Sequence, residues 1–238
     1  PAAAASVTAH MRTQGPIRFP VPVLEGTVQD PETEAPISLS LPLDLVPSLD
    51  IPHAPDTVTL DGDLSEWTAS PPMAMHYGVN CDPADVEDLQ AFTRLMWDEE
   101  HLYVAVEVED NEFHQPYYGD VVWMADSVEL WFEHSNWSLT KNGPQVFLHD
   151  RPDKHLDAIT DAVPLAVRRD GTRVVYEAAF PAAEIPQISL IPGTIIHFSL
   201  LVNDLDANGP LEKRHWVEVT PGAGAHFACP MVALTLLP

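Results

Sequence analysis

The chain has 238 residues, 45% of them hydrophobic, with 36 acidic residues against 11 basic ones and a formal charge of −25. That length allows one large domain or two small ones with a substantial core, while the charge excludes a general nucleic-acid binder, because phosphates are held by Lys and Arg. Anionic membrane surfaces are disfavoured on the same ground, and no run of about 18 apolar residues encodes a transmembrane helix. Neutral ligands, cations and metal ions are the expected partners.

Residues 1–56 read as an extended proline-rich arm. The chain starts Pro1-Ala2-Ala3, as a mature protein would after removal of a targeting segment, although a shortened chain would look the same. Few lysines and the acid excess agree with an extracytoplasmic protein, periplasmic or secreted. Prolines then recur from Pro16 to Pro55, and a residue that fixes φ and lacks an N–H blocks long helices and central strands. Ile17, Phe19, Val21, Val23, Leu39, Leu41, Leu43 and Leu45 put apolar side chains on that backbone, where a solvated tether would be polar. Such an arm is expected to lie on a surface, either its own domain or another polypeptide; contact with another polypeptide is the expectation.

Residues 57–238 read as one all-β domain. Leu102, Val104, Val106 and Val108 alternate with Tyr103, Ala105, Glu107 and Glu109, and Val128, Leu130 and Phe132 with Ser127, Glu129 and Trp131, the period of two that a strand with one buried face requires. Further strands are predicted over 91–97, 145–149, 163–169, 173–180, 194–203, 214–219 and 227–236. Turn residues separate them, as in Arg169-Asp170-Gly171. No segment keeps a helical period for three turns. An antiparallel β-sandwich, jelly-roll or immunoglobulin-like, follows, with Val104, Val106, Val128, Leu130, Phe132, Phe198, Leu200 and Val202 facing inwards.

The two cysteines, Cys81 and Cys229, stand in no CxxC arrangement, which excludes a zinc ribbon and thioredoxin-like redox chemistry; they form either a disulfide or two separate thiols. Asp204-Leu205-Asp206-Ala207-Asn208-Gly209 resembles the first half of a calcium loop, with oxygens from Asp204, Asp206 and Asn208, but its twelfth position is His215 rather than Glu. A polar hairpin turn would read identically. Asp61, Asp63, Asp98 and Asp110 add carboxylates at strand ends. The 11 histidines form no HExxH or HxH, and no GxSxG occurs, so neither zinc nor catalysis is expected.

The run Leu60-Asp61-Gly62-Asp63-Leu64-Ser65-Glu66-Trp67, the stretch Leu95 to Asp110, Asp126-Ser127-Val128-Glu129-Leu130-Trp131-Phe132, Tyr176 to Pro181, and Leu201-Val202-Asn203-Asp204 with His215-Trp216 together resemble the family 9 carbohydrate-binding modules and their DOMON-like relatives. The resemblance implies a non-catalytic sandwich that binds calcium and holds glucan or xylan chain ends between two tryptophans. Trp123 matches one of these, and Glu129 matches a hydroxyl-binding acid. An indole receives the C–H face of a pyranose, and a carboxylate accepts bonds from adjacent hydroxyls. Leu201 stands where the family has a sugar-binding glutamine, no arginine occurs around Gln145 to Leu148, and the second tryptophan is missing after Trp216, where His226 or Phe227 would have to serve as the platform. The resulting expectation is an extracytoplasmic binding module with a partly lost sugar site. The alternative is an accessory or structural subunit docked through the arm. A haem-binding DOMON-like electron-transfer domain, with Met96, Met124 and His197 as candidate ligands, comes third.

Overall fold

The computed structural model describes residues 23–29, 36–42, 48–55, 58–75, 77–79, 89–133, 135–141, 145–151, 158–207, 209–210, 214–225 and 231–238. The chain divides into two units, Pro1–Pro47 and Ser48–Pro238. In the first, β1 (Val23–Gln29) and β2 (Pro36–Pro42) form an antiparallel hairpin. The prolines of β2 are its first and last residues, places where a missing N–H and a fixed φ are tolerated. An extended backbone was expected here; its return on itself as a hairpin was not.

The second unit is a sandwich of two sheets. Its strands are β3 (Ser48–Ile51), β4 (Met73–Ala74), β5 (Tyr77–Val79), β6 (Leu89–Trp97), β7 (His101–Asp110), β8 (Ser127–Phe132), β9 (Ser135–Thr140), β10 (Gln145–Asp150), β11 (Ala158–Ile159), β12 (Leu165–Asp170), β13 (Arg173–Pro181), β14 (Ile195–Asp204), β15 (His215–Glu218) and β16 (Val232–Leu236). Five of them run β12-β13-β7-β6-β4. The larger sheet runs β11-β10-β9-β8-β14-β15-β5, with β16 also on β14 and β3 on β16. All pairings are antiparallel except β3 with β16. After β3 the chain crosses to the smaller sheet, where Ala54 N donates to Trp97 O at 2.7 Å, so 48–54 ties the two sheets together.

The alternation seen in the sequence is the alternation of the core. Phe132, Leu130 and Val128 stand opposite Phe198, Leu200 and Val202 in β8 and β14, and Val104 and Val106 opposite Ala178 and Tyr176 in β7 and β13. All eight residues expected to face inwards belong to the main core. Phe132 of the larger sheet meets Phe180 of the smaller edge to face, with centroids 5.1 Å apart, and interdigitation of this kind fixes the distance between layers. A one-residue slip would turn the whole set to the outer face.

A second, smaller cluster lies on the opposite face of the five-stranded sheet. Trp67, from a 3-10 turn over Ser65–Ala69, packs there against Met96, Tyr103, Ala105 and Ala179. Its indole N–H donates to Glu177 Oε1 at 2.8 Å, and the other oxygen of Glu177 accepts Asp61 N at 2.9 Å and also Gly62 N. The Asp-Gly-Asp…Trp run is therefore a strap over the sheet. Asp61 and Asp63 cap the next turns, accepting from Asp63 N and Ser65 N, and Asp98 does the same for Glu100 N and His101 N. These acids are turn-formers. Gly62, at φ +80, also lies where a Cβ would come within 2.4 Å of Arg168 Cβ, so the strap needs glycine there.

Candidate functional site

Three strand ends meet at one place: the end of β7, the entry to β8 and the end of β14. They bring Asp110, Asp126 and Asp204 together, one carboxylate oxygen from each lying within 4.8 Å of the others. All three side chains are buried. Asp126 accepts Leu205 N at 2.9 Å on one oxygen and His114 N on the other, Asp110 accepts Glu112 N at 2.8 Å, and Asp204 Oδ2 lies 2.9 Å from His215 Nε2. Burial and the neighbouring Asp204 push Asp110 up to about 6. Burial, then Asp110 and Asp204, push Asp126 up to about 9. At this spacing each pair of charges would repel by at least about 3.5 kcal/mol at an effective dielectric of about 20. Oxygens about 2.4 Å from a common centre would sit at such separations, so the trio fits a hard cation such as calcium. Two residues beyond Asp204, Asp206 Oδ1 is buried with no hydrogen-bond partner among the described residues. Asp204 thus turns towards two acids distant in sequence, and Asn208 lies outside the described residues.

Beside this trio runs a polar and aromatic network. Ser127 and Asn203, each adjacent to an acid of the trio, face one another in β8 and β14. Asn203 Nδ2 donates to Glu129 Oε1 at 2.8 Å and to Ser127 Oγ at 3.2 Å. Arg214, just before β15, donates from Nη1 to Asn203 Oδ1 at 3.1 Å and to Trp123 O at 2.7 Å. Its guanidinium lies over the indoles of both Trp123 and Trp216, 4.7 Å from each centroid. Burial lowers the Arg214 pKa, and the nearby Glu129 opposes the shift.

Both indoles are held from behind. Trp123 lies in a 3-10 segment, Gly119–Met124, anchored where Gln115 Nε2 donates to Val122 O at 2.8 Å and Asp126 O at 2.9 Å. Trp216 Nε1 donates to Glu218 Oε2 at 3.3 Å, and that carboxylate also accepts Gly222 N and Gly224 N. Gly224 approaches so closely that a Cβ there would sit 2.7 Å from Trp216 Nε1. Trp123, Arg214 and Trp216 are half-buried at the surface. Beneath them Glu129 and Leu201 are buried at 3% and 1% exposure, and Leu201 stands in register between Glu129 and Glu218.

Trp123 and Glu129, singled out in the sequence, are therefore linked through Arg214 and Asn203. His226, Phe227, Cys81 and Cys229 lie outside the described residues. Met96 is buried in the cluster under Trp67, whereas His197 is on β14 of the other sheet, bonded to Glu133, so the structure does not bring these two together as haem ligands. Sequence reasoning missed Arg214 and the wall formed by Trp216 itself. The arginine of this site immediately precedes β15, where no periodic signal marks it.

A family model described as carbohydrate family 9 binding domain-like matches residues 60–230. The chain belongs to this family. Two solved structures of a family 9 carbohydrate-binding module from Caldicellulosiruptor kristjanssonii are similar to it, one in complex with cellotriose and one with glucose. Each has a TM-score of 0.61 and 16% identity, covering 79% of this chain and 94% or 95% of the module. At that identity the likeness is one of fold. No curated protein matches the chain significantly. Among the described residues of this family 9 domain, no helix is long and apolar enough to cross a membrane.

Proposed function

We propose that the domain is a non-catalytic carbohydrate-binding module working outside the cytoplasm. Its ligand meets the patch of Trp123, Arg214 and Trp216, and calcium in the Asp110, Asp126 and Asp204 trio holds the strands beneath. The observation that carries this reading is a pair of half-exposed tryptophans beside a buried Glu129 and Asn203, with Trp216 held through its indole N–H and Trp123 through its backbone carbonyl. Rigid aromatic faces suit the apolar face of a sugar ring, and fixed polar groups suit its hydroxyls. The glycan-bound module of the same fold supports the ligand class. A calcium ion would take one oxygen from each acid and complete its shell with carbonyls or water, fixing the backbone next to Ser127 and Asn203. The test is calorimetry with cello- and xylo-oligosaccharides. Wild type binds, and Trp123→Ala weakens binding at least tenfold; no binding by wild type, or undiminished binding by the variant, ends the sugar reading.

A second reading, an accessory subunit docked through its arm, rests on the register of the first unit. Leu24 pairs with Leu41, Gly26 with Leu39 and Val28 with Ile37, while Glu25 and Thr27 pair with Ser40 and Ser38. Opposed positions share a face of a sheet, so one face of the hairpin has apolar positions 24, 28, 37, 39 and 41 around Gly26, and the other mixes polar positions with Val23, Pro36 and Pro42. A two-stranded hairpin is barely stable alone, and its apolar face needs cover. Limited proteolysis of the isolated chain and of its native complex separates the sources of that cover. On the docking reading the arm is cleaved in the isolated chain and protected in the complex; equal protection in both removes it.

A further inference from the structure

We infer that Arg214 is the specificity-determining residue of the proposed sugar site, a built-in occupant of its stacking faces that must move aside before a neutral sugar ring can stack there. The inference rests on the carbohydrate reading and adds to it the element that limits which ligands enter. The geometry is direct: one guanidinium lies over both indoles, 4.7 Å from each centroid. A guanidinium is planar, and it stacks on an aromatic face with the same side of the ring that a sugar would use. An indole face given to Arg214 cannot also receive a pyranose.

The occupant is fixed as well as stacked. Its Nη1 bonds Trp123 O and Asn203 Oδ1, which couples it to Glu129 through the Asn203 amide. Displacing it costs both stacking contacts and these charge-assisted bonds, and a neutral oligosaccharide must offset that from its own contacts. The side chain can leave without the strand moving, since it precedes β15 and swings on several rotatable bonds. The consequence is weak binding of neutral chain ends by the wild-type protein, with the aromatic pair masked rather than absent.

Removing the occupant tests this. Arg214→Ala is expected to bind cello- or xylo-oligosaccharides at least tenfold more tightly than wild type, and adding Trp123→Ala or Trp216→Ala to it should abolish the gain. Arg214→Lys, which keeps a charge near Glu129 but has no planar face, should gain part of it and guards against a folding defect in the alanine variant. A readout without ligand is acrylamide quenching of tryptophan fluorescence. Trp67, Trp97 and Trp137 are fully buried, so quenching reports chiefly on Trp123, Trp131 and Trp216, and it should rise in Arg214→Ala. If wild type binds and both Arg214 variants bind equally tightly, Arg214 masks nothing, and if they bind less tightly it is a ligand contact; either result overturns the inference while the carbohydrate reading stands. If wild type does not bind, the carbohydrate reading and the inference fall together.

Discussion

Glu177, on the outer face of the five-stranded sheet, and the trio of Asp110, Asp126 and Asp204, where strand ends of both sheets meet, are carboxylates taken out of water, and their neighbours differ. Glu177, with no exposure at all, receives the indole N–H of Trp67 and the backbone N–H groups of Asp61 and Gly62. Burial raises its pKa, and the three donors pull the other way. A buried acid surrounded by donors is a structural joint, and here it clamps the strap to the sheet. In the trio, each acid has other acids as neighbours, and burial and repulsion act in the same direction on Asp110 and Asp126. Backbone N–H groups also favour the charged forms of Asp110 and Asp126, but burial and the neighbouring acids outweigh them, which is the arrangement expected if a cation completes the site as proposed.

The comparison breaks most visibly if calcium is removed. Calcium at about a hundred times its dissociation constant adds about 2.7 kcal/mol, or roughly 5–10 °C in a domain of this size, and chelation should remove it. The pH dependence of the chelated protein carries the sign. With Asp110 at about 6 and Asp126 at about 9, both above the ordinary 3.8, the folded state holds protons that the unfolded chain has released. Stability from these groups is complete below about pH 4 and declines as pH rises through 6 and then 9, by up to about 1.4 kcal/mol per unit for each group titrating. Thermal melts across pH 5 to 9 should slope downward in chelator and flatten in calcium. Parallel curves with and without the ion would leave the trio without a metal role.

The joint and the trio were unequally legible in the sequence. Period-two alternation is local, which is why Val104, Val106, Leu130 and Leu200 could be placed in the core from their neighbours alone. β9, Ser135–Thr140, escaped although its core residues Trp137 and Leu139 alternate with Asn136, Ser138 and Thr140, because two apolar residues make too short a period to stand out among serines and threonines. The hairpin β1–β2 escaped because proline forbids central strands, and a two-stranded ribbon has only edges. Asp204 was singled out in the sequence as a candidate cation ligand, but its partners were sought two and four residues along the loop. They lie instead at two other strand ends, and only the tertiary fold joins Asp110, Asp126 and Asp204. Trp123 and Glu129 came from a motif, whereas Arg214 links the first to the partner of the second only through tertiary contacts to Trp123 and Asn203.

A finer contrast comes from changing one carboxylate to its amide in each place, because the two substitutions are expected to have opposite signs. In Glu177→Gln one of the two oxygens becomes an NH₂ that faces either the Trp67 N–H or the N–H groups of Asp61 and Gly62, so donor meets donor in a buried site. The loss should be about 1–3 kcal/mol, seen as a lower melting temperature that calcium does not change. In Asp110→Asn the Oδ1 acceptor for Glu112 N survives, and the new amide can donate towards Asp126 or Asp204. One repulsive charge is gone, so in chelator at pH 8 this variant should melt above wild type by a few degrees and show a shallower pH slope. It should also lose most of the calcium response, since one of three anionic ligands has become neutral. The ordering of the melts then decides the matter: Glu177→Gln below wild type in both buffers, Asp110→Asn above it in chelator and below it in calcium. If Asp110→Asn were destabilised in chelator as well, the trio would be a joint of the same kind as Glu177, held by its backbone donors rather than waiting for an ion.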